Sequence, residues 1–209
     1  MSIFALTTIL LDRDGTVIKD KHYLSDPDGV ELLPGVAESL SSLSRKGLRF
    51  FLVSNQSGIG RGMFPREAAA AVNERLAEIL RPFGVAFTDM RFCPHAPEHG
   101  CNCRKPATGI WRTLQKQYSL DAGSTLMLGD KEEDILFAAR AGLLRGLLLT
   151  GKGEDTAARL ALPKPGIDGV SFTAYPDSPS RPHLVLSSFQ ALEIGLERIF
   201  SAKSVVCGV

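Results

Sequence analysis

The sequence predicts an α/β fold in three layers, helices on either side of a mainly parallel sheet. Two observations carry this. Short apolar runs alternate with amphipathic stretches from residue 6 to residue 150, and the runs end in residues suited to chemistry. Alternation of that kind favours parallel strands joined by right-handed crossovers, a Rossmann-like sandwich. In such a sheet ligands collect beyond the carboxyl ends of the strands.

The elements follow in order. LTTILL (6–11) reads as a buried strand and GVAESLSSLSRKG (35–47) as the helix after it. RFFLVS (49–54) is the next strand, followed by a glycine-rich loop and the long helix REAAAAVNERLAEILRPFG (66–84). TDMRFC (88–93) leads into a cysteine-bearing segment and the helix TGIWRTLQKQYS (108–119). STLMLG (124–129), EEDILFAARAG (132–142) and RGLLLT (145–150) complete the alternation. Between 151 and 182 Gly, Pro and Ser accumulate, so this segment reads as loop with one or two helical turns. Residues 183–200 read as a last strand and a closing helix, with Cys207 a small apolar residue in the tail. No repeat and no second core interrupt the pattern, so a single domain over 1–209 without a large cap domain is expected.

Bulk properties exclude several classes. The 209 residues are 44% hydrophobic and 22% charged, ordinary for a soluble globular chain. Lys and Arg (24) balance Asp and Glu (23), so nothing argues for nucleic acid or a membrane surface as partner. No apolar run approaches the ~20 residues that span a bilayer, and no basic segment marks a secretory signal. A cytoplasmic monomer acting on a small molecule is the expectation.

LLDRDGT (10–16) sets Asp12 and Asp14 two residues apart at a strand end. In extended geometry they face the same way and Arg13 the other. Two carboxylates at one point repel unless a cation bridges them, which suggests a hard divalent metal; solvated acids on a glycine turn are the alternative. SNQSGIGRG (54–62) offers the Ser54 hydroxyl and backbone N–H groups to a phosphate, or is an ordinary turn. GDKEED (129–134) places Asp130 and Asp134 one helical turn apart around Lys131, which also suits a plain helix start. Cys93, His95, Cys101 and Cys103 supply four nitrogen and sulfur ligands, the set of a closed structural zinc site. A redox cluster or an adventitious metal site is the other reading. As a clamp, the zinc loop (93–103) would aim Arg104 and Lys105.

Together these stretches resemble the haloacid dehalogenase-like superfamily of phosphotransferases, whose four motifs fall in order at Asp12–Thr16, Ser54, Lys105 and Gly129–Asp134. The resemblance implies that Asp12 attacks phosphorus to form an aspartyl-phosphate and that Asp14 serves as general acid and base. It implies Mg²⁺ held by Asp12, the Asp14 carbonyl and Asp130. Ser54 and Lys105 would neutralise the phosphoryl oxygens, and Asp134 would orient Lys105 or a metal-bound water.

Within that superfamily the cluster followed by CRKP, with DKHYLSDPDGVELLPGV (20–36) and TGKG (150–153), is similar to the D-glycero-D-manno-heptose 1,7-bisphosphate phosphatases and the related histidinol-phosphate phosphatases. That likeness implies substrate contacts from Asp20, Lys21, His22 and Tyr23, and from Ser54, Asn55, Gln56 and Ser57. Arg104, Lys105 and Lys131 would complete them. The expected activity is removal of the C7 phosphate in nucleotide-activated heptose synthesis, for lipopolysaccharide or S-layer precursors. The five residues between His95 and Cys101 are fewer than in many heptose enzymes, which keeps histidinol phosphate as the alternative. A catalytically inactive zinc-stabilised binding module is a third reading, against which the intact Asp12, Asp14, Lys105 and Asp130 weigh.

Overall fold

The computed structural model describes residues 6–173 and 176–198. Every residue of β1 (Thr8–Leu11) is buried, because this strand lies inside the sheet and is covered on both faces. It pairs in parallel with β2 (Arg49–Asn55) on one side and β4 (Thr125–Gly129) on the other. β3 (Phe87–Cys93) extends the sheet beyond β2, and β5 (Leu144–Leu148) and β7 (Leu184–Leu186) extend it beyond β4, all in parallel. Only β6 (Val170–Phe172), at the far edge, is antiparallel. The order is β3-β2-β1-β4-β5-β7-β6.

Strand periodicity separates the two cores. Ile9 and Leu11 face Val36, Leu40 and Leu43 of α1 (Val36–Arg45) and Val72, Leu76 and Leu80 of α3 (Arg66–Leu80). Leu10, Phe51 and Met127 face Ile110, Trp111 and Leu114 of α4 (Gly109–Tyr118) and Phe137 and Ala138 of α5 (Glu132–Ala141). Each fully buried Leu or Phe contributes roughly 1.5–3 kcal/mol, so the layers hold the strand ends firmly where the polar residues emerge. No helix of the described residues is long and apolar enough to cross a membrane.

The structure departs from expectation in four places. The first strand begins at Thr8 rather than residue 6. The helix expected over 66–84 is α-helical only to Leu80 and continues as a 3-10 turn over Arg81–Phe83, where Pro82 supplies no N–H for the ladder. The glycine-rich loop after β2 holds a single helical turn, α2 (Ser57–Gly60). The segment 151–182, expected to be mostly loop, contains α6 (Gly153–Arg159) as helical turns but also the strand β6. Three residues bonded along one edge show no usable alternation in sequence. After β7 a 3-10 turn (Phe189–Ala191) leads into helical residues 192–198; Cys207 lies outside the described residues.

Candidate active site

The chain leaves β1 at Asp12, whose N–H still joins the ladder by donating to Leu128 O at 3.0 Å. It then turns sharply, with the N–H groups of Thr16 and Val17 both donating to Arg13 O. Residues 12–14 are therefore not extended. Asp12 and Asp14 do reach one cavity, but Arg13 does not point away. Its fully buried guanidinium curls back, with Nη2 3.1 Å from Asp14 Oδ2.

Lys105 lies at the centre, 3% exposed. Its ammonium donates to Asp12 Oδ1 at 2.6 Å and to Val53 O at 2.7 Å, and lies 2.6 Å from Asp134 Oδ1. An ammonium has three donors, and all three are placed. Burial opposes the Asp12 carboxylate, but Lys105 and Lys131 outweigh it and hold its pKa below the usual range. For Lys105 burial works downward, and Asp12 and Asp134 more than offset it, so its pKa rises. Asn55 fixes the backbone beneath: its Nδ2 donates to Lys105 O at 3.1 Å and its Oδ1 accepts from Lys105 N at 3.0 Å. Asn55 thus does more than face substrate.

Asp130 follows β4 and is fully buried. Its Oδ2 accepts from Lys152 N at 2.8 Å, while Oδ1 accepts no hydrogen bond. Burial, reinforced by Asp12 and only partly opposed by Lys131, pushes its pKa up to about 7. Gly15 and Gly151, both at positive φ, lie against this carboxylate, and a Cβ on either would collide with it. Oxygens of Asp12, Asp130 and Asp134 all lie within 4.8 Å of one another. The Lys131 ammonium stands 3.4 Å from Asp14 O and 3.5 Å from Asp130 Oδ1, a cation among these same oxygens. Buried, hard and partly unpartnered oxygens fit Mg²⁺. Asp134 stands beside Lys105 through Oδ1, while its Oδ2 accepts the Lys131 N–H and caps α5.

A cavity of about 240 Å³ opens above, lined by Asp12, Asp14 and Lys105 and by Asp20, His22, Tyr23, Asn55, Gln56, Ser57, Arg104 and Lys131. Asp20 Oδ1 accepts from His22 N at 3.0 Å, and His22 and Tyr23 adopt left-handed backbone angles that thrust this turn over the mouth. Three residues fall elsewhere. Ser54 is buried, its hydroxyl accepting from Gln56 Nε2 at 3.2 Å, and it does not line the cavity. Asp130 lies deeper still, and Lys21 points out to pair with Glu31. Glu133 also lines the cavity. Nothing singled it out in sequence beyond its place in GDKEED.

Cys93, His95, Cys101 and Cys103 converge as expected. Cys103 Sγ lies 3.2 Å from Cys93 Sγ and 3.5 Å from Cys101 Sγ, and His95 Nδ1 lies 3.3 Å from Cys103 Sγ. A zinc tetrahedron with arms of about 2.3 Å has edges of roughly 3.8 Å, so the cluster could close on one ion with slight expansion. Burial raises the Cys93 thiol, whereas backbone N–H groups of Arg104 and Cys103 overcome burial at Cys101 and bring it to about 6.

The model of the haloacid dehalogenase-like hydrolases matches residues 22–142. The chain belongs to that family. Among its relatives is the D-glycero-beta-D-manno-heptose-1,7-bisphosphate 7-phosphatase of Bordetella bronchiseptica, 34% identical over 157 residues, which are 75% of this chain and 88% of the relative. The D,D-heptose 1,7-bisphosphate phosphatase of B. bronchiseptica, solved with magnesium and phosphate, superposes with a TM-score of 0.76 at 28% identity, covering 94% of this chain and 99% of that one. A histidine biosynthesis bifunctional protein of Blochmanniella floridana is 36% identical over 138 residues, 65% of this chain but 39% of that protein.

Two buried polar residues lie outside the set expected from sequence: Arg13, expected on the opposite face, and Asn73 of α3. Both are buried and bonded to one another, Arg13 Nη1 donating to Asn73 Oδ1 at 3.0 Å. The available signal was an amide in the core-facing stripe Ala69, Val72, Asn73, Leu76.

Proposed function

We propose that this hydrolase removes the C7 phosphate of D-glycero-D-manno-heptose 1,7-bisphosphate, in the cytoplasmic synthesis of nucleotide-activated heptose. The observation that carries it is the charge layout of the cavity. Asp12 and Asp14 meet Lys105 on one side, and Arg104 and Lys131 add two more cations to the lining. One dianionic phosphate needs the first group together with Lys131, whose ammonium stands beside Asp14 O and Asp130; a second dianion gives Arg104 work, since a guanidinium grips phosphate through paired N–H donors.

In the first half-reaction a carboxylate oxygen of Asp12 bonds to phosphorus as the bond from phosphorus to the C7 oxygen breaks. Asp14 gives its proton to that oxygen, releasing the sugar alcohol. In the second half a water attacks the aspartyl-phosphate, Asp14 takes a proton from it, and inorganic phosphate and free Asp12 result. Lys105 keeps Asp12 ionised and spreads charge from the phosphoryl oxygens, exchanging one of its three protein bonds to do so. Ser54, beneath the cavity floor, and the backbone N–H groups around α2 would add donors. Mg²⁺, held by Asp12, Asp14 O and Asp130, would supply the charge that lets a phosphate dianion approach a carboxylate. Zinc in the Cys93–Cys103 loop would be structural, with all four positions taken by protein.

Histidinol phosphate is the second reading, favoured by the short His95–Cys101 spacing and by the histidine-biosynthesis relative. Comparing kcat/KM for both anomers of the heptose bisphosphate with that for histidinol phosphate separates the two. A tenfold or greater preference for histidinol phosphate overturns the heptose assignment.

A further inference from the structure

Arg13 is the bulkiest charged side chain in the interior, at 0% exposure. A buried guanidinium is costly unless its donors are used, and an apolar residue of similar size would serve a merely structural role better. Each of its three nitrogens is directed at a partner. Nε donates to Asp14 Oδ2 at 3.1 Å, Nη1 to Asn73 Oδ1 at 3.0 Å and Nη2 to Gln56 Oε1 at 2.9 Å. Nη2 also lies 3.1 Å from Asp14 Oδ2. Arginine has no acceptor, so Gln56 must turn its carbonyl to Arg13 and its amide nitrogen away. That nitrogen donates to the same Asp14 Oδ2, at 2.8 Å, and to Ser54 Oγ. Three N–H groups therefore converge on one oxygen of Asp14. Among the described residues none bonds its Oδ1, and Asp14 lines the cavity. Asn73 closes the arrangement from α3, an amide spent on an otherwise apolar helix face.

We propose that Arg13, Gln56 and Asn73 are positioning residues for the leaving-group step: they lock the Asp14 carboxylate by Oδ2 so that Oδ1 alone serves the departing alkoxide. Arg13 and Gln56 hold the carboxylate from two sides, and Asn73 holds Arg13. The inference rests on the reading of Asp14 as the proton donor, and it adds which oxygen works and what aims it. Arg13 and Asn73 stand outside the cavity lining, so the phosphate does not meet them directly. The lock matters in proportion to how badly the leaving group needs a proton.

The test is a series of phosphate monoesters running from nitrophenyl to simple alkyl leaving groups, read as kcat/KM, which reports the first half-reaction. Gln56→Met keeps the bulk and the Arg13–Asp14 pair while removing one donor; Arg13→Met removes the pair. Asp14→Asn is the reference, and general-acid catalysis is worth typically 10²–10⁴-fold. Gln56→Met should lose on the order of tenfold more, and Arg13→Met more still, against alkyl phosphates than against nitrophenyl phosphate, over and above any uniform loss that Gln56 causes as part of the cavity lining. A residue that only supports the fold would lower every substrate alike. If Asp14→Asn steepens the leaving-group dependence while Gln56→Met and Arg13→Met lower all substrates equally, the positioning inference is overturned and the mechanism stands. If Asp14→Asn itself shows no steepening, the acid role of Asp14 and the inference fall together. Should Arg13→Met not fold, Gln56→Met decides alone.

Discussion

Asp134→Asn is a near-isosteric change with a large expected cost, because Asp134 faces two donors. Oδ1 lies 2.6 Å from the Lys105 ammonium and Oδ2 accepts the Lys131 N–H at 3.1 Å. Both carboxylate oxygens accept. An asparagine has one acceptor and one donor group, so either orientation sets an N–H against another N–H. If the carbonyl stays with Lys105, the cap of α5 is lost and a buried donor goes unsatisfied, at about 1–3 kcal/mol. The charge is lost in both orientations. Breaking a buried pair costs about 3–5 kcal/mol, and the lower end applies because Asp12 still holds Lys105 at 2.6 Å. The total comes to roughly 4–6 kcal/mol, or a melting temperature lower by roughly 8–24 °C for a chain of this size.

Activity should fall as well. With Asp134 neutral, the ammonium is drawn onto Asp12, the proposed nucleophile, and kcat should drop by on the order of 10–10². Urea unfolding followed by circular dichroism, beside steady-state phosphate release, measures both. A midpoint unchanged within experimental error, with kcat intact, would refute the view that Asp134 holds Lys105.

Asp12→Asn should abolish turnover while the protein still folds, and acid-quenched wild type should carry phosphate on Asp12; robust activity in the variant sinks the covalent route. Chelation of Mg²⁺ should stop turnover reversibly, and elemental analysis of the chelated protein should still find one zinc per chain. Arg104→Ala should lose on the order of 10² in kcat/KM for the bisphosphate and far less for a monophosphate, because only the former offers a second dianion. Gly60→Ala should weaken zinc retention, since its Cβ would fall 2.5 Å from Ala96 N and 2.9 Å from Pro94 O in the metal loop; zinc content and affinity unchanged from wild type would rule out that packing.

Much of the site was legible because it obeys strand logic. Asp12, Ser54, Lys105 and Asp130 each follow an apolar run, and parallel topology gathers such positions at one edge without knowledge of any side-chain angle. The convergence of Cys93, His95, Cys101 and Cys103 was legible because coordination chemistry restricts residue types so tightly. Arg13 was misread for a physical reason: period-two alternation holds only while the chain stays extended, and the turn sealed by Thr16 and Val17 ends it one residue after Asp12. Asn73 was hidden because its partner is 60 residues away. β6 was invisible because its order comes from pairing with β7, not from its own three residues. Ser54 and Lys21, both expected at the substrate from their motifs, lie outside the cavity lining, Ser54 beneath its floor and Lys21 out toward Glu31.

The cysteine loop and Lys105 are adjacent in sequence yet rest on different supports. Lys105 is held at its backbone by both polar atoms of the Asn55 amide and at its ammonium by Asp12, Asp134 and Val53 O. None of those partners belongs to the loop. Arg104 is different: its Nη1 donates to His95 O at 3.4 Å, inside the cysteine cluster. Order in the loop would therefore reach the cavity directly through Arg104, the cation proposed for the remote phosphate, and only indirectly through Lys105, by way of Asn55 paired beside Cys93. Such a division lets the loop change length, and with it the grip on the far end of a substrate, while Asp12, Lys105 and Asp134 keep their spacing. Loss of zinc should then raise KM for a bisphosphate much more than it lowers kcat for a simple phosphate ester, whereas Asn55→Ala should do the reverse.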